Sequence, residues 1–224
     1  DEAGQPMPGV TLGDNGAKGG LPGVDNGTIS FDAVRVPRGN LLDRFGAVDA
    51  QGVYSSPIDS PGRRFFTMLG TLVRGRVSVG GGASSAARAG LTIATRYAAQ
   101  RSQFDGPDGE VTLLDYRAHQ RKLLPAIARS YAFAFAQNEL VETLHEIQTA
   151  DPADRDERAQ RELESRAAGL KALQTEEANR VLQLCREACG GAGYMATSGL
   201  TQRRMDADVF ATFEGDNTVL LQLV

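Results

Sequence analysis

Cysteine is scarce in this sequence, and only Cys185 and Cys189 occur among its 224 residues. A disulfide scaffold is therefore excluded, and a reducing compartment is the natural expectation. The two cysteines lie close together in a helical pattern, and neither His119 nor His145 stands at metal-ligand spacing from them. We therefore expect two buried structural thiols and no metal site.

Long apolar runs and an excess of positive charge are also lacking. The net charge is -4 and the isoelectric point is near 5.3, whereas a dedicated nucleic-acid-binding protein usually presents a basic face. No apolar run reaches the roughly 18 residues that indicate a membrane span. A P-loop and the nucleophile-elbow sequence of serine hydrolases are missing as well. We therefore expect a globular protein with neither a nucleic-acid partner nor a membrane span.

Residues 1–60 predict a partial β domain with many turns. Thr28–Val36 alternates like a strand that buries Ile29 and Phe31. A strand set this small does not close a sheet alone, and the sequence starts without Met and ends on the apolar stretch Val219–Val224. We expect a piece of a longer polypeptide; the alternative is a complete small protein with an apolar terminus.

Residues 61–224 predict an up-down bundle of three to four long helices, so the fold class is mainly α with a partial β segment in front. Pro125 should kink the second helix or mark a restart, and a short last helix should begin near Asn217. A loop is predicted over Phe104–Glu110. Small and apolar residues recur at helical spacing over Phe65–Gln100, Leu113–Gln148 and Asp156–Cys189. The residues expected to face inward are Leu124, Ile127, Tyr131 and Leu144 in the second of these helices and Leu163, Ala167, Leu170, Leu173, Ala178 and Leu182 in the third.

An acidic turn precedes the last predicted helix. Glu214 lies between Phe213 and Gly215, where glycine permits close approach of the backbone to a ligand and the aromatic ring helps to exclude water. A desolvated carboxylate of this kind is a usable base near neutral pH. The local residues alone favour the plainer interpretation, in which Asp216 or Asn217 caps the helix and Glu214 merely lies in a turn.

Three further clusters have both a ligand-binding and a plain structural interpretation. The amides around Gly190 and Gly191 are suited to cradling phosphate oxygens, but the same glycines are suited to ending a helix. Arg101 precedes Phe104 at a helix end, where the pair is suited to gripping a phosphate and covering a ring. Arg76 stands among small neighbours that leave room for a bulky anionic ligand. For both arginines, exposure to solvent is the commoner state.

Taken together in this order, the motifs resemble the acyl-CoA oxidase branch of the acyl-CoA dehydrogenase superfamily. The resemblance covers nearly the whole chain and depends on the joint order and spacing of its pieces. These pieces are Pro8–Asp14, Asp25–Gly27, Val36–Leu42, Leu114–Pro125, Ala188–Tyr194 and Thr212–Val219.

The resemblance implies FAD-dependent oxidation of a fatty acyl-CoA to trans-2-enoyl-CoA. Glu214 matches the family's catalytic glutamate, which removes the α-proton while the β-hydrogen leaves as hydride to the flavin. Some relatives carry this base at the position of Gly75, where glycine cannot act. In oxidases O2 reoxidises the flavin and gives H2O2, whereas dehydrogenases use an electron-transfer protein. A non-catalytic helical scaffold is the remaining interpretation.

The resemblance also implies roles for the other clusters. Arg76 matches an arginine near the CoA moiety and the active site. FAD would lie across the interface of a homodimer, because the glycine segment meets the adenine half of a cofactor that the partner subunit mainly binds. The residues that match FAD contacts or neighbours are Arg101, Phe104, Gln120, Gly190, Gly191 and Asp216.

Two departures from the family pattern qualify these expectations. Glu187 stands where dehydrogenases usually carry Gln before the glycine motif, which favours the oxidase branch. The family's N-terminal helical domain and the first half of its β domain have no counterpart here, so we expect this chain alone to bind FAD poorly. The Ala-, Arg- and Gly-rich composition favours a bacterial, cytoplasmic protein, whereas eukaryotic members of the family are peroxisomal.

Overall fold

The computed structural model describes residues 2–151 and 156–224. The chain forms two compact units, one up to Thr71 and one from Leu72 onward. The helix α1, Pro61–Leu69, therefore belongs to the first unit, although the sequence assigned it to the helical domain. The domain division at residue 60 stays a prediction.

The first unit contains two small antiparallel hairpins ahead of α1. Strand β1, Val10–Asp14, pairs with β2, Gly27–Phe31, so that Val10 lies opposite Phe31. Strand β3, Ala47–Val48, pairs with β4, Tyr54–Ser55. Neither hairpin has a third strand among the described residues.

The strand predicted over Thr28–Val36 is too long at its C-terminal end. It stops at Phe31, and Ala33 follows in the left-handed region with φ +49°. The predicted burial is also wrong, because Ile29 is 57% exposed and Phe31 is 65% exposed. A two-stranded hairpin has no second layer of its own to cover such side chains.

Three long helices form the second unit: α2, Leu72–Gln100, α3, Arg117–Thr149, and α4, Glu157–Ala188. An up-down bundle with mainly helical content is therefore confirmed. The single helix predicted over Phe65–Gln100 is wrong, because the chain leaves the helix between α1 and α2, where the Gly70 amide closes α1 on the Phe66 carbonyl.

The direction of each long helix follows from the partners of its core residues. An added Cβ at Gly80 would meet Lys171, and one at Gly90 would meet Leu182, so α2 and α4 run parallel. Helix α3 runs the opposite way. Its Leu123 packs in the cluster that holds the later residues of α2, Ala94 and Ala98, whereas its Leu140 packs with the early residues Val73 and Val77.

Two glycines let α4 lie unusually close to α2. A Cβ built on Gly80 would stand 3.4 Å from the Cα of Lys171, and one built on Gly90 would stand 2.9 Å from Cδ2 of Leu182. Alanines fill most of the same face of α2 between and beyond them. The buried alanines of this face are Ala83, Ala87, Ala94 and Ala98.

A short hairpin joins α2 to α3 where the sequence predicted only a loop. Strand β5, Ser102–Gly106, pairs with β6, Gly109–Thr112, and the turn between them contains Pro107 and Asp108. Glycine is suited to position 109, because its φ is +109°. The turn was predicted correctly, but strands this short lack the alternation that identifies longer ones.

Helices α3 and α4 correct several details of the sequence prediction. Pro125 lies inside α3, which continues on both sides of it and does not restart. Leu124 and Tyr131 of α3 and Leu173 of α4 are exposed, although all three were expected to face inward. Four expected inward residues of α4 are buried, namely Leu163, Ala167, Ala178 and Leu182.

The chain after α4 consists of short helices. Helix α4 ends at Ala188, and the predicted glycine stop begins with Gly190 at φ +54°. Helices α5, Gly190–Tyr194, and α6, Leu200–Asp208, follow. The last helix, α7, spans Asn217–Leu220 and begins where the sequence predicted. Within the described ranges, no helix is long and apolar enough to cross a membrane.

The close approach of α2 to α4 predicts opposite effects of one substitution at two glycines. Gly90→Leu should lower the free energy of unfolding by about 1–3 kcal/mol, because the new side chain overfills the space beside Leu182. Gly82 is exposed, and an added Cβ there would meet nothing within 4 Å. Gly82→Leu should therefore raise the stability by about 1 kcal/mol through helix propensity. Urea unfolding measures both changes, and equal effects at the two positions would contradict the packing.

Candidate functional site

Glu214 lies in the turn that connects a 3-10 segment, Val209–Ala211, to α7. Its φ is +57° and that of Gly215 is +106°, so the turn passes through the left-handed region at two successive residues. A non-glycine residue in this region costs about 1–3 kcal/mol and is found most often at functional sites. The Glu214 side chain is half-buried, and its Oε2 atom is buried without a hydrogen-bond partner among the described residues.

The Glu214 carboxylate lies directly against Gly75 on α2. A Cβ built on Gly75 would stand 2.5 Å from Cδ and 2.9 Å from Oε1 of Glu214. Any other residue at position 75 would therefore displace the carboxylate. The structure brings together the two positions, 75 and 214, at which the family resemblance places the catalytic base.

Arg76 also lies at this end of the bundle. It is half-buried, and its Nε donates a long hydrogen bond of 3.5 Å to the backbone oxygen of Glu214. The neighbouring residue Asp216 is exposed and caps α7, because its Oδ1 accepts from the Thr218 amide at 2.9 Å. The capping interpretation is therefore correct for Asp216, whereas Glu214 points to Gly75 and makes no cap.

A buried lysine supports the same turn from α4. Lys171 is only 1% exposed, and its Nζ donates to the Gly215 carbonyl at 2.7 Å and to Oδ1 of Asn217 at 2.9 Å. Asn217 in turn donates from Nδ2 to Oγ1 of Thr175 at 2.9 Å. One turn of α4 thus holds the residues on the C-terminal side of Glu214.

The surroundings of Lys171 lower its pKa from the ordinary value of a lysine. Burial lowers the pKa of Lys171, the charge of Asp216 raises it, that of Arg76 lowers it and that of Glu214 raises it. Desolvation is the largest of these effects, because it disfavours the charged ammonium.

Lys171 is absent from the site residues that the sequence predicts. Lys171 lies one turn after Ala167 and two turns before Ala178, and both alanines were predicted to be buried. A lysine on an apolar helical stripe was therefore the available signal, because lysine is almost never fully buried unless it is paired.

Arg101, Phe104 and Gln120 lie together around the hairpin at the C-terminal end of α2. The Arg101 side chain is exposed, and its backbone oxygen accepts from the Leu113 amide at 2.8 Å. Phe104 is 69% exposed with φ +65°. Gln120 is half-buried, and its Nε2 donates to the Leu114 carbonyl at 3.0 Å.

The glycine segment lies at the same end of the bundle, beside the cluster that contains Ala98 and Cys189. Gly190 and Gly191 are exposed, and an added Cβ at either would meet nothing within 4 Å. Only Gly193 is required by its neighbours, since its Cβ would overlap the carbonyl of Arg186. The space beside Gly190 and Gly191 is therefore open to a ligand.

The candidate residues form two groups that one chain does not bring together. Helix α2 rises about 1.5 Å per residue, so Gly75 and Arg101 are separated by roughly 39 Å along it. Glu214, Arg76 and Asp216 lie near the first end of α2. The remaining candidates lie at its other end, namely Arg101, Phe104, Gln120, Gly190 and Gly191.

Both cysteines are free and buried, as the sequence predicted. Burial and the neighbouring Cys189 raise the pKa of Cys185 to about 12, and burial raises the pKa of Cys189. The thiols therefore stay protonated and unreactive near neutral pH. Within residues 2–151 and 156–224, no group of three or more His, Cys, Asp or Glu side chains is arranged to hold a metal ion.

The raised pKa of Cys185 predicts a loss of stability at alkaline pH. Above pH 9 the thiol ionises in the unfolded chain, whereas it stays protonated in the folded chain until about pH 12. The unfolded state then binds fewer protons, so the free energy of unfolding falls as pH rises. This thiol contributes about 1.4 kcal/mol per pH unit to that fall. Urea unfolding of wild type and Cys185→Ala between these pH values isolates the contribution, and parallel pH profiles would contradict it.

Comparison with known families identifies one match that covers most of the chain. Residues 69–224 match the model of the acyl-CoA oxidase C-alpha1 domain. Acyl-coenzyme A oxidase 2, peroxisomal, of Arabidopsis thaliana is 45% identical over 221 residues, which is 98% of this chain and 31% of that protein. Human peroxisomal acyl-coenzyme A oxidase 3 is 41% identical over 97% of this chain and 32% of its own length.

Solved structures show the same likeness. Acyl-CoA oxidase-1 of Caenorhabditis elegans, complexed with FAD and ATP, has a TM-score of 0.86 and 33% identity, and the match covers 100% of this chain and 32% of that one. Acyl-CoA oxidase1 of Yarrowia lipolytica has a TM-score of 0.83 and 38% identity, covering 96% of this chain and 32% of that one.

These matches also bear on the length of the chain relative to its relatives and on its expected location. The chain spans about a third of the length of the relatives it matches. The two relatives named peroxisomal come from eukaryotes, so they do not support the expectation of a bacterial, cytoplasmic protein.

Proposed function

The chain belongs to the acyl-CoA oxidase family, and from this premise we propose that the protein oxidises a fatty acyl-CoA to trans-2-enoyl-CoA. The observation that carries this proposal is the Glu214 carboxylate, which lies against Gly75 with a buried and unpartnered Oε2 atom. We propose peroxisomes as the location, in line with the names of the two relatives.

Glu214 acts as the base in this reaction. An ionised carboxylate only accepts hydrogen bonds, and Oε2 has no donor among the described residues, so this oxygen is free to take the α-proton of the thioester. The partial burial of the site limits competition from water. Arg76 binds the anionic CoA portion from the adjacent position on α2, because its guanidinium carries a permanent positive charge.

The far end of the bundle suits FAD. The exposed guanidinium of Arg101 and the open amides of Gly190 and Gly191 can hold phosphate oxygens, and the exposed ring of Phe104 can cover a ring of the cofactor. Gln120 would also contact FAD at this end, whereas Asp216, at the other end of the bundle and two residues after Glu214, would lie beside the FAD of the site that contains Glu214. When bound, FAD supplies the acceptor for the β-hydrogen and passes the electrons to O2, which gives H2O2.

Two subunits build one site in this proposal. The base and the residues that suit the far part of the cofactor lie at opposite ends of a bundle, separated by roughly 39 Å along α2. A homodimer whose two-fold axis runs perpendicular to the bundle would place one end of each subunit beside the other end of its partner. FAD would then be held across the subunit interface by residues of both subunits, with Glu214 from one subunit and Arg101 from the other.

If Glu214 is the base, its replacement should slow reduction of the flavin. In the intact natural protein, Glu214→Gln should slow anaerobic reduction of the flavin by acyl-CoA by about 10²–10⁴-fold, because a general base contributes that much. Stopped-flow absorbance measures the rate. The matched control is Glu142→Gln, which alters an exposed glutamate of α3 and should leave the rate unchanged.

Two companion measurements sharpen this test. Gly75→Ala should slow reduction by roughly 100-fold, because its methyl group displaces the Glu214 carboxylate, whereas Gly82→Ala should not. Under air, each turnover should release one H2O2; rapid dye reduction without peroxide would identify a dehydrogenase instead. A Glu214→Gln protein that reduces its flavin at the wild-type rate would refute the base, and a wild-type flavoprotein unreactive to acyl-CoA would indicate a non-catalytic scaffold.

The shared site predicts complementation between two inactive variants. Coexpressed Glu214→Gln and Arg101→Ala subunits should recover about a quarter of wild-type activity, because half of randomly mixed dimers are mixed and each has one intact site. The control pair, Glu214→Gln with Gly75→Ala, carries both defects at the same end and should recover nothing. Activity of the purified mixed dimer, which should be about half of the wild-type value because one of its two sites is intact, decides the question. No recovery from the first pair would exclude a shared site.

A further inference from the structure

The proposed reaction gives no role to the most deeply buried charged side chain of the described residues. Lys171 is 1% exposed and is the largest fully buried side chain. A buried ammonium is unfavourable unless it is paired and hydrogen-bonded. Its hydrogen bonds therefore indicate what the fold gains from keeping a lysine at this position.

Both acceptors of Lys171 belong to the turn that carries the base. The Gly215 carbonyl, at 2.7 Å, directly follows Glu214, and Oδ1 of Asn217, at 2.9 Å, begins α7. Hydrogen bonds from a charged donor are roughly twice as strong as those between neutral groups. The ammonium thus fixes the backbone on one side of Glu214.

A second set of contacts from the same turn of α4 holds Asn217. Its Nδ2 donates to Oγ1 of Thr175 at 2.9 Å and to the Ala172 carbonyl at 3.3 Å. Thr175 is itself buried, and its Oγ1 donates to the Lys171 carbonyl at 3.0 Å. Lys171 and Thr175, one helical turn apart on α4, therefore both hydrogen-bond to Asn217.

The turn needs such support because its backbone is unfavourable by itself. Glu214 and Gly215 both have positive φ, and a conformation of this kind persists only where the surroundings over-determine it. In this conformation the Glu214 carboxylate lies beside Gly75, and no described atom donates a hydrogen bond to its Oε2 atom, so no hydrogen bond at that oxygen holds the carboxylate there. Relaxation of the turn would move the Glu214 carboxylate away from Gly75.

We propose that Lys171 is a positioning residue, whose buried ammonium holds the Glu214 turn so that the carboxylate lies against Gly75. The inference rests on the proposed function, because it assigns Lys171 to the base of that reaction. Lys171 acts through Gly215 and Asn217 and has no contact with substrate in this role. The competing explanation is a structural lysine whose loss weakens the whole bundle.

The test compares two buried positions on the same face of α4 in the intact natural protein. Lys171→Met keeps an unbranched side chain as far as Cε but removes the terminal ammonium, with its donors and its charge. Gln174→Met is the matched control, because Gln174 is also 1% exposed but bonds to Gln137 of α3 and not to the turn. Thr175→Val is a milder second variant that removes the hydroxyl beneath Asn217.

Two readouts separate positioning from general support. Hydrogen exchange of the amides in residues 212–220 should accelerate by about tenfold or more in Lys171→Met and should not change in Gln174→Met. Flavin reduction by acyl-CoA should slow by about 10–100-fold, because a displacement near 1 Å costs that much, while the Kd for acyl-CoA changes by less than about twofold. Thr175→Val should slow reduction by about threefold to tenfold.

Each outcome supports or overturns the inference. Unchanged exchange in residues 212–220 overturns it without reference to activity. Faster exchange in that segment with an unchanged reduction rate overturns the positioning role, and faster exchange throughout the bundle with parallel loss of substrate binding shows a structural lysine instead. If wild-type protein fails to reduce its flavin with acyl-CoA, the proposed function fails, while hydrogen exchange still reports whether Lys171 holds the turn.

Discussion

The close packing of α2 against α4 is the constraint on which the rest of this structure depends. Gly80 and Gly90 remove the side chains that would otherwise hold the two helices apart, and the alanines between them keep the interface narrow. This packing brings Lys171 to the edge of the turn at residues 214–217. Gly75 lies on the same helix as these glycines but about 140° around its axis from Gly80, so one helix packs the bundle through one face and makes room for a carboxylate on another.

The two ends of the bundle differ in physical character. At one end a carboxylate and an ammonium are drawn out of water, where electrostatic interactions are strong and geometry is fixed by hydrogen bonds. At the other end, a guanidinium, an aromatic ring and two glycines are left exposed, as groups are when they contact a ligand or a second molecule. A rigid bundle keeps these environments apart, and two-fold pairing is the simple way to bring unlike ends together.

The sequence predicts the parts of this fold that repeat and misses those that depend on distant residues. The three long helices follow from periodic alanine and leucine, whereas the β5–β6 hairpin is too short to show a period. Leu124 and Leu173 lie on predicted inward stripes but are exposed. Periodicity shows which residues share a helix face, but it does not show whether another element packs against that face. The family resemblance identifies Glu214, but local residues do not predict its contact with Gly75. The apolar stripe around Lys171 is a local signal of burial, but a charged helical residue is ordinarily assigned to a solvated face.

The parallel arrangement of α2 and α4 also has a consequence for the time course of folding. The antiparallel neighbours α2 and α3 are joined by a short hairpin and can pair directly. Helix α2 can pack against α4 only after the intervening α3 has returned the chain to the start of the bundle. The hydrogen bond from Arg76 to Glu214 spans 138 residues, and closing so long a loop has a large entropic cost. We therefore expect the contact between Arg76 and Glu214 to form late in folding, after α2 and α3 have paired.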